Sequence, residues 1–255
     1  MTPVMPAVAT SSDRSADEAA GLPRLAGSRW EIEHLRRILP DATVLSGPDA
    51  SEPRLYQLAH AGKLSGFGTI HLASHMLNRG PFEQWAIVLA QVGHGRPAAC
   101  RTSSQDDAKG SRKDAIATCD PEDGLLTGQE IRDRLSLRCD LVSLSGCFTA
   151  GGANAYTSSI PCFGNAFLYA GAHSILASLW LADDRASALL MTRFHENRAG
   201  AYADDRGHGP GVPMRKVQAL QEAKRWLREW RDPDGRVPYR HPAYWAGFVL
   251  IGDPG

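Results

Sequence analysis

The chain has 255 residues, 43% of them hydrophobic and 22% charged, and its 28 basic and 28 acidic side chains give a formal net charge of zero. This length and apolar content suit one large α/β domain and argue against global disorder. Zero net charge gives no electrostatic argument for nucleic-acid binding, and no apolar run reaches the roughly 18 residues of a membrane span. With five cysteines in no regular framework and no evident signal peptide, we expect a cytoplasmic protein that binds neither nucleic acid nor membrane.

The beginning of the chain lacks an apolar period over residues 1–21, so we expect a disordered lead-in before a domain that spans 22–255. Ser28 and Glu31 have the spacing of a capping box, which predicts the start of a helix. Strands then alternate with helices, the pattern of a mostly parallel sheet covered on both faces. We count six predicted strands, at 43–45, 67–74, 85–91, 140–145, 173–180 and 245–251.

The connecting segments carry further helix signals. Thr127 and Glu130 form a second capping box, and Gly171 stands where a left-handed residue usually closes a helix. An amphipathic helix predicted over 215–230 combines basic residues with Trp226 and Trp230. Because acidic residues are interspersed, this helix indicates a solvated face with core tryptophans rather than a nucleic-acid site.

One long polar segment, residues 93–120, interrupts the alternation of strands and helices. Segments of this kind inside a domain are usually functional or disordered, and a surface insertion is the simpler interpretation. The alternative is a maturation loop that is cut after a basic residue, at Arg101, Lys109, Arg112 or Lys113.

Signatures of cofactor and metal chemistry are absent from the sequence. It has no phosphate-binding loop, no G-x-S-x-G elbow, no H-E-x-x-H and no C-x-x-C, so we expect no cofactor. His71 and His75 lie four residues apart on one strand face and could form half of a zinc site, but no third ligand is evident. We therefore expect no metal, and we expect His71 to be hydrogen-bonded inside a strand.

A histidine and a cysteine stand at the ends of two predicted strands. His75 follows the strand that begins at Phe67, and Cys147 follows the strand that begins at Asp140. If these strands are parallel neighbours, both side chains emerge at one edge of the sheet, as a thiol nucleophile and its imidazole base require. The remaining cysteines have simpler interpretations, as packing residues or members of the polar insertion: Cys139 and Cys162, and Cys100 and Cys119.

Five segments of the sequence stand out together, in this order: HLASH (71–75), DGLLTGQEI (123–131), DLVSLSGCFTAGG (140–152), FLYAGAHSILASLWLADDRA (167–186) and HPAYWAGFVLIG (241–252). They resemble the CHAT domain, a caspase-like and separase-like cysteine peptidase domain found in bacteria and eukaryotes. The resemblance covers about residues 22–252 and implies a caspase-like three-layer αβα sandwich that hydrolyses peptide bonds. Matching positions imply that His75 is the catalytic histidine and Cys147 the nucleophile.

The resemblance also implies the rest of the site. Backbone N–H groups of Met76 and Cys147 would bind the oxyanion, and an acidic residue, Asp184 ahead of Asp183, would recognise a basic P1 side chain; the alternative for both is a helix N-cap. The chain departs from the family pattern in two places. Met76 replaces a glycine after the histidine, and Gly146 replaces an alanine before the cysteine.

These observations predict a cysteine endopeptidase that acts on a protein or peptide substrate, is latent until activated, and prefers a basic P1 residue. The alternative is a catalytically silent scaffold that signals by binding, with Met76 blocking the oxyanion hole. Many CHAT domains are attached to helical repeats, and this chain has no 34-residue repeat of its own. A tetratricopeptide-type partner or activator is therefore expected.

Overall fold

The computed structural model of the chain describes residues 6–10, 25–78, 85–91, 123–146, 159–180, 182–202 and 211–255. The predicted insertion at 93–120 lies outside the described residues, as does most of the predicted lead-in. No helix within these ranges is both long enough and apolar enough to cross a membrane.

The centre of the molecule is a six-stranded sheet with the strand order β2-β1-β3-β7-β8-β9. All neighbouring strands pair in parallel except the last pair, β8 and β9. The predicted α/β class with a mostly parallel sheet is therefore confirmed, although the strands of this sheet are not the six that were predicted. These strands are β1 (Pro6–Thr10), β2 (Thr43–Leu45), β3 (Thr69–Ala73), β7 (Leu141–Ser145), β8 (Ser174–Ser178) and β9 (Phe248–Gly252).

A second, smaller sheet is antiparallel and has the order β4-β5-β6. Only two residues, Ser74 and His75, lie between the end of β3 and the start of this sheet, so the chain passes almost directly from one sheet into the other. Its strands are β4 (Met76–Asn78), β5 (Trp85–Val88) and β6 (Leu125–Thr127).

The membership of the main sheet corrects two expectations. Pro6–Thr10, inside the predicted disordered lead-in, forms β1 and pairs with both β2 and β3. Trp85–Val88, predicted as a strand of the main sheet, belongs to the smaller one. Both errors concern which strands pair, and pairing depends on residues far apart in sequence, whereas periodicity reports only the local conformation.

Helices cover both faces of the main sheet, which gives three layers. Helices α1, α5 and α6 pack on one face, and α2, α3 and α4 contribute to the core on the other. Their bounds are α1 (Ala26–Ile38), α2 (Glu52–His60), α3 (Gly128–Arg134), α4 (Ser159–Tyr169), α5 (Asp184–Ala199) and α6 (Lys216–Glu229).

Alternation along the central strands divides the core between these faces. Side chains at 70 and 72 of β3, and at 142 and 144 of β7, join the larger apolar cluster with α2, α3 and α4. The intervening positions face α1 and α5, and on this side they include several polar side chains. The buried polar residues of β3 and β7 on this face are Thr69, His71, Ser143 and Ser145.

The two predicted capping boxes have different outcomes. Thr127 and Glu130 form the reciprocal pair at the start of α3, as predicted. Ser28 and Glu31 do not, because α1 already begins at Ala26 and both side chains are buried. Glu31 instead enters the space between α1 and the sheet.

Candidate active site

The junction between β3 and β4 carries His75. The backbone N–H of Ser74 donates to the carbonyl oxygen of Ser145 at 3.1 Å, which closes the last pair of the ladder between β3 and β7, Ala73 and Ser145. The carbonyl oxygen of His75 accepts from the N–H of Val88 at 2.9 Å, in the smaller sheet. The Ser74 hydroxyl also donates to the Val88 carbonyl. The backbone on both sides of the His75 side chain is therefore fixed, once by each sheet.

The predicted catalytic pair is described only in part. His75 lies at the carboxyl edge of the main sheet, as predicted, and it is completely buried, with 0% of its surface exposed. Cys147 lies outside the described residues, as does its contribution to the predicted oxyanion hole. The description of this strand end stops at Gly146, one residue earlier.

Gly146 lies against the junction. A Cβ atom at this position would collide with the carbonyl oxygen of Ser74 and would lie 3.4 Å from Cγ of Met76. The family's usual alanine therefore does not fit here unless the backbone moves.

Met76 has an extended backbone, as the first residue of β4. Because His75 and Val88 form a hydrogen-bonded antiparallel pair, the next pair, Met76 and Ile87, is a non-bonded one, and the N–H of Met76 points away from β5. The Met76 side chain is 5% exposed and packs into the larger apolar cluster.

Both predicted substrate-binding carboxylates bind backbone N–H groups. Asp183 caps α5 and accepts from the N–H of Ala186 at 2.8 Å, which is the alternative that the sequence offered. Asp184 Oδ2 accepts from the N–H of Gly27 at 2.7 Å, which joins the first turns of α1 and α5. Asp183 is exposed, whereas Asp184 is half-buried.

Behind the strand ends lies a buried polar cluster that the sequence analysis missed. One carboxylate oxygen of Glu31 accepts from the Ser145 hydroxyl at 2.7 Å, and the other lies 2.8 Å from Nε2 of His71, a close contact without the alignment of a regular hydrogen bond. Nδ1 of His71 lies 2.7 Å from Oγ of Ser143, which is 3.1 Å from Nε2 of His195. Each of these five residues is at most 3% exposed.

Burial favours the neutral forms of the ionisable groups of this cluster. It raises the pKa of Glu31 well above its usual value, and the nearby Asp184 raises it further. Burial also lowers the pKa of His71 to about 3 and that of His195 well below its usual value. The Ser143 hydroxyl can donate to either imidazole and accept from the other, so the relay forms without a charged group.

A signal for this cluster is present in the sequence. In DLVSLS, Ser143 and Ser145 alternate with apolar residues, which places two hydroxyl groups on one face of a buried strand. His71 marks the same face of the neighbouring strand, in register with Ser143. The place of Glu31 in this cluster was not predicted, because its spacing from Ser28 matches that of a capping box.

In the described parts of the chain, no three His, Cys, Asp or Glu side chains are grouped so that they could hold a metal ion. His71 is inside a strand and hydrogen-bonded, as expected. Cys139 is a buried free thiol whose pKa burial raises to about 11, which fits its predicted packing role.

Comparison with known proteins identifies the family. The family model described as "CHAT domain" matches residues 3–253, almost the whole chain. The chain therefore belongs to the CHAT domain family, as its five motifs indicated. The match also includes the residues of β1, which the sequence analysis had placed outside the domain.

Curated relatives and solved structures show similarity over different lengths. The chain is 28% identical over 196 residues to human tetratricopeptide repeat protein 28, and 29% identical over 201 residues to the mouse protein. Each alignment covers 72% of this chain but only 7% of the relative. The Arg-specific cysteine proteinase gingipain R superposes with a TM-score of 0.48 at 11% identity, over 99% of this chain and 46% of that one. A complex of the pro- and mature domains of RgpB from Porphyromonas gingivalis gives a TM-score of 0.44 at 10% identity, over 99% and 48%.

The close approach at Gly146 predicts that Gly146→Ala destabilises the protein by about 1–3 kcal/mol, because the added methyl group forces the two strand ends apart. Gly66→Ala is the matched control, since a Cβ atom there meets nothing within 4 Å. We expect it to change stability by less than about 0.5 kcal/mol. Urea unfolding of both variants measures the difference, and equal stabilities would contradict the described approach of Gly146 to Ser74.

The buried histidines predict a specific pH dependence. Their pKa values are lower in the folded chain, so below about pH 6.5 the unfolded chain binds protons that the folded chain does not, and stability falls as the pH falls. His195→Gln removes one such group, and we expect it to reduce this slope by up to about 1.4 kcal/mol per pH unit between pH 6 and 5. The raised pKa of Glu31 has the opposite effect on the pH dependence of stability, but it is present both in the unsubstituted chain and in His195→Gln. Urea unfolding at several pH values tests this, with the exposed His60→Gln as control; an unchanged slope in His195→Gln would contradict it.

Proposed function

We propose that the protein is a cysteine endopeptidase in which His75 is the general base and Cys147 the nucleophile. The observation that carries the proposal is the parallel pairing of Ala73 with Ser145 at the ends of β3 and β7, which the hydrogen bond from Ser74 to Ser145 closes. Ala73 pairs with Ser145 in parallel register, so two further residues on each strand lead to His75 and Cys147. Neighbouring strands lie about 4.8 Å apart, a separation at which an imidazole reaches a thiol.

The chemistry follows from these two groups. His75 takes the thiol proton, and Cys147 Sγ attacks the carbonyl carbon of the scissile peptide bond. The C–N bond then breaks as His75 gives the proton to the leaving amine, which leaves an acyl group on sulfur. Water, deprotonated by His75, hydrolyses the thioester and restores the thiol.

The position of Met76 supports its proposed role in the oxyanion hole. Its N–H points away from β5, and its side chain packs into the larger apolar cluster, beside Gly146. The extended backbone also removes the need for a glycine with positive φ at this position. Two backbone N–H groups, of Met76 and Cys147, would then stabilise the oxyanion.

For the proposed basic P1 preference, the contacts favour Asp183 over Asp184. Both follow β8 at the carboxyl edge of the sheet, but Asp184 is half-buried and bonded to Gly27. Asp183 is exposed and uses Oδ1 as the cap, so its other oxygen can meet a guanidinium or ammonium group.

The complete burial of His75 supports a latent enzyme. A peptide bond cannot reach an imidazole with no exposed surface, so the active state requires an opening of the site. Human and mouse relatives are named as tetratricopeptide repeat proteins, and we propose that a repeat of this type acts as the activating partner.

The same burial favours one second candidate, an interaction scaffold without catalysis. In that case His75 is a packing residue and Cys147 has no imidazole-dependent reactivity. The reactivity of the thiol separates the two candidates.

The test is covalent labelling with peptidyl acyloxymethyl ketones that carry arginine or leucine at P1. We expect Cys147 to be labelled, and His75→Ala to lower the rate about 100-fold or more, as loss of a general base does. Labelling is measured by mass spectrometry from 25 °C to just below the unfolding transition, where local opening exposes a closed site. Cys147→Ala and Cys139→Ala are the matched thiol controls, of which only the first should abolish the label.

Asp183→Asn tests the basic P1 preference within the same experiment. Asparagine caps a helix about as well as aspartate, so α5 is kept while the charge is lost. We expect the ratio of arginine to leucine labelling to fall about tenfold. An unchanged ratio would contradict the role of Asp183, and labelling that is independent of His75 throughout would contradict the peptidase assignment.

A further inference from the structure

We propose that Glu31 is a positioning residue: its carboxyl group, between α1 and the main sheet, contacts both β3 and β7 and sets the alignment of His75 with Cys147. This inference rests on the proposed function for its kinetic consequence. Its structural part, the coupling of Glu31 to the two strand ends, can be tested without catalysis.

The geometry carries the proposal, because the two oxygens of Glu31 contact different strands. Oε2 accepts from Ser145, the last residue of β7, and Oε1 lies 2.8 Å from His71 in β3. Ser145 is two residues before Cys147, and His71 is four before His75. A single buried carboxyl group therefore spans the two strands just before the proposed catalytic residues.

Helix α1 holds Glu31 in a fixed position. The N–H of Gly27 donates to Asp184 at 2.7 Å, and Nε2 of His34 lies 2.8 Å from Oε1 of Glu196. Both contacts join α1 to α5, on either side of Glu31 in sequence. The Glu31 side chain thus extends from a helix that is itself fixed against its neighbour.

The order Ser143–His71–Glu31 has the connectivity of a hydrolase triad, but it does not form a second active site. All three residues are 0% exposed and lie within secondary structure, so no acyl group reaches Ser143. The raised pKa of Glu31 also favours a neutral carboxyl group over the carboxylate that would stabilise an imidazolium. These properties fit a residue that keeps β3 and β7 in position.

A conservative replacement for a protonated Glu31 is available for the test. Glutamine has nearly the same shape as a protonated glutamate and keeps an oxygen for Ser145 and a donor for His71. Glu31→Gln should therefore preserve the alignment, whereas Glu31→Ala should lose it. The matched control is Glu222→Ala, which removes one carboxylate partner of the buried Arg193, between α5 and α6, and leaves the strand ends untouched.

The experiment uses the peptidyl acyloxymethyl ketone with arginine at P1. For each variant it measures the inactivation rate constant and the binding constant, at a temperature that lies a fixed interval below the Tm of that variant. We expect Glu31→Ala to lower the rate constant about 10- to 100-fold, the effect of a misplacement of about 1 Å, with little change in binding. Glu31→Gln and Glu222→Ala should stay within about threefold of the unsubstituted chain. Should Glu31→Ala not fold, Ser145→Ala removes one of the two contacts and should show a smaller loss in the rate constant.

Equal rate constants in Glu31→Ala and Glu222→Ala, or an equal loss in Glu31→Gln and Glu31→Ala, would overturn the inference while leaving the peptidase assignment intact. If Cys147 in the unsubstituted chain is never labelled, the proposed function fails, and hydrogen exchange decides the inference alone. Faster amide exchange at 69–76 and 141–146 in Glu31→Ala, but not in Glu31→Gln or Glu222→Ala, would support it. The same exchange in all three variants would overturn it.

Discussion

The arrangement of the site depends on one constraint, the contact of the chain after β7 with the end of β3. The Ser74 N–H bonds to the Ser145 carbonyl, and Gly146 approaches the Ser74 carbonyl so closely that no Cβ atom fits between them. Because this approach occurs between parallel neighbours, it brings both strand ends to one edge of the sheet, where α/β proteins place their chemistry. The smaller sheet begins at Met76 and holds the opposite side of the junction, so His75 is fixed from two directions.

Burying the polar cluster behind this edge costs free energy, and uncharged forms of its ionisable groups reduce that cost. Isolated buried charges are expensive, and a buried carboxyl group beside two imidazoles would be costly if it were ionised. The pKa directions of Glu31, His71 and His195 all favour uncharged forms, joined through the hydroxyl groups of Ser143 and Ser145. Such a network links α1, β3, β7 and α5 in one arrangement.

Local pattern was sufficient to predict the central strands, the capping box at Thr127 and the position of His75 at a strand end. It failed where the outcome depends on tertiary partners. Pro6–Thr10 has the composition of a linker, and only its pairing with two distant strands makes it β1. Glu31 fits a capping box equally well whether its side chain turns back to the helix or enters the core. The burial of His75 likewise depends on packing that periodicity does not report.

The central claim, that the register of β3 and β7 continues to His75 and Cys147, is tested most directly by a disulfide. Adjacent parallel strands are about 4.8 Å apart, within the range of Cα separations that a disulfide spans. The account predicts that His75→Cys, oxidised in the folded state, forms a bond to Cys147 that peptide mapping detects. His60→Cys, exposed at the end of α2, should not form this bond. Folded His75→Cys that leaves Cys147 free after oxidation would contradict the account.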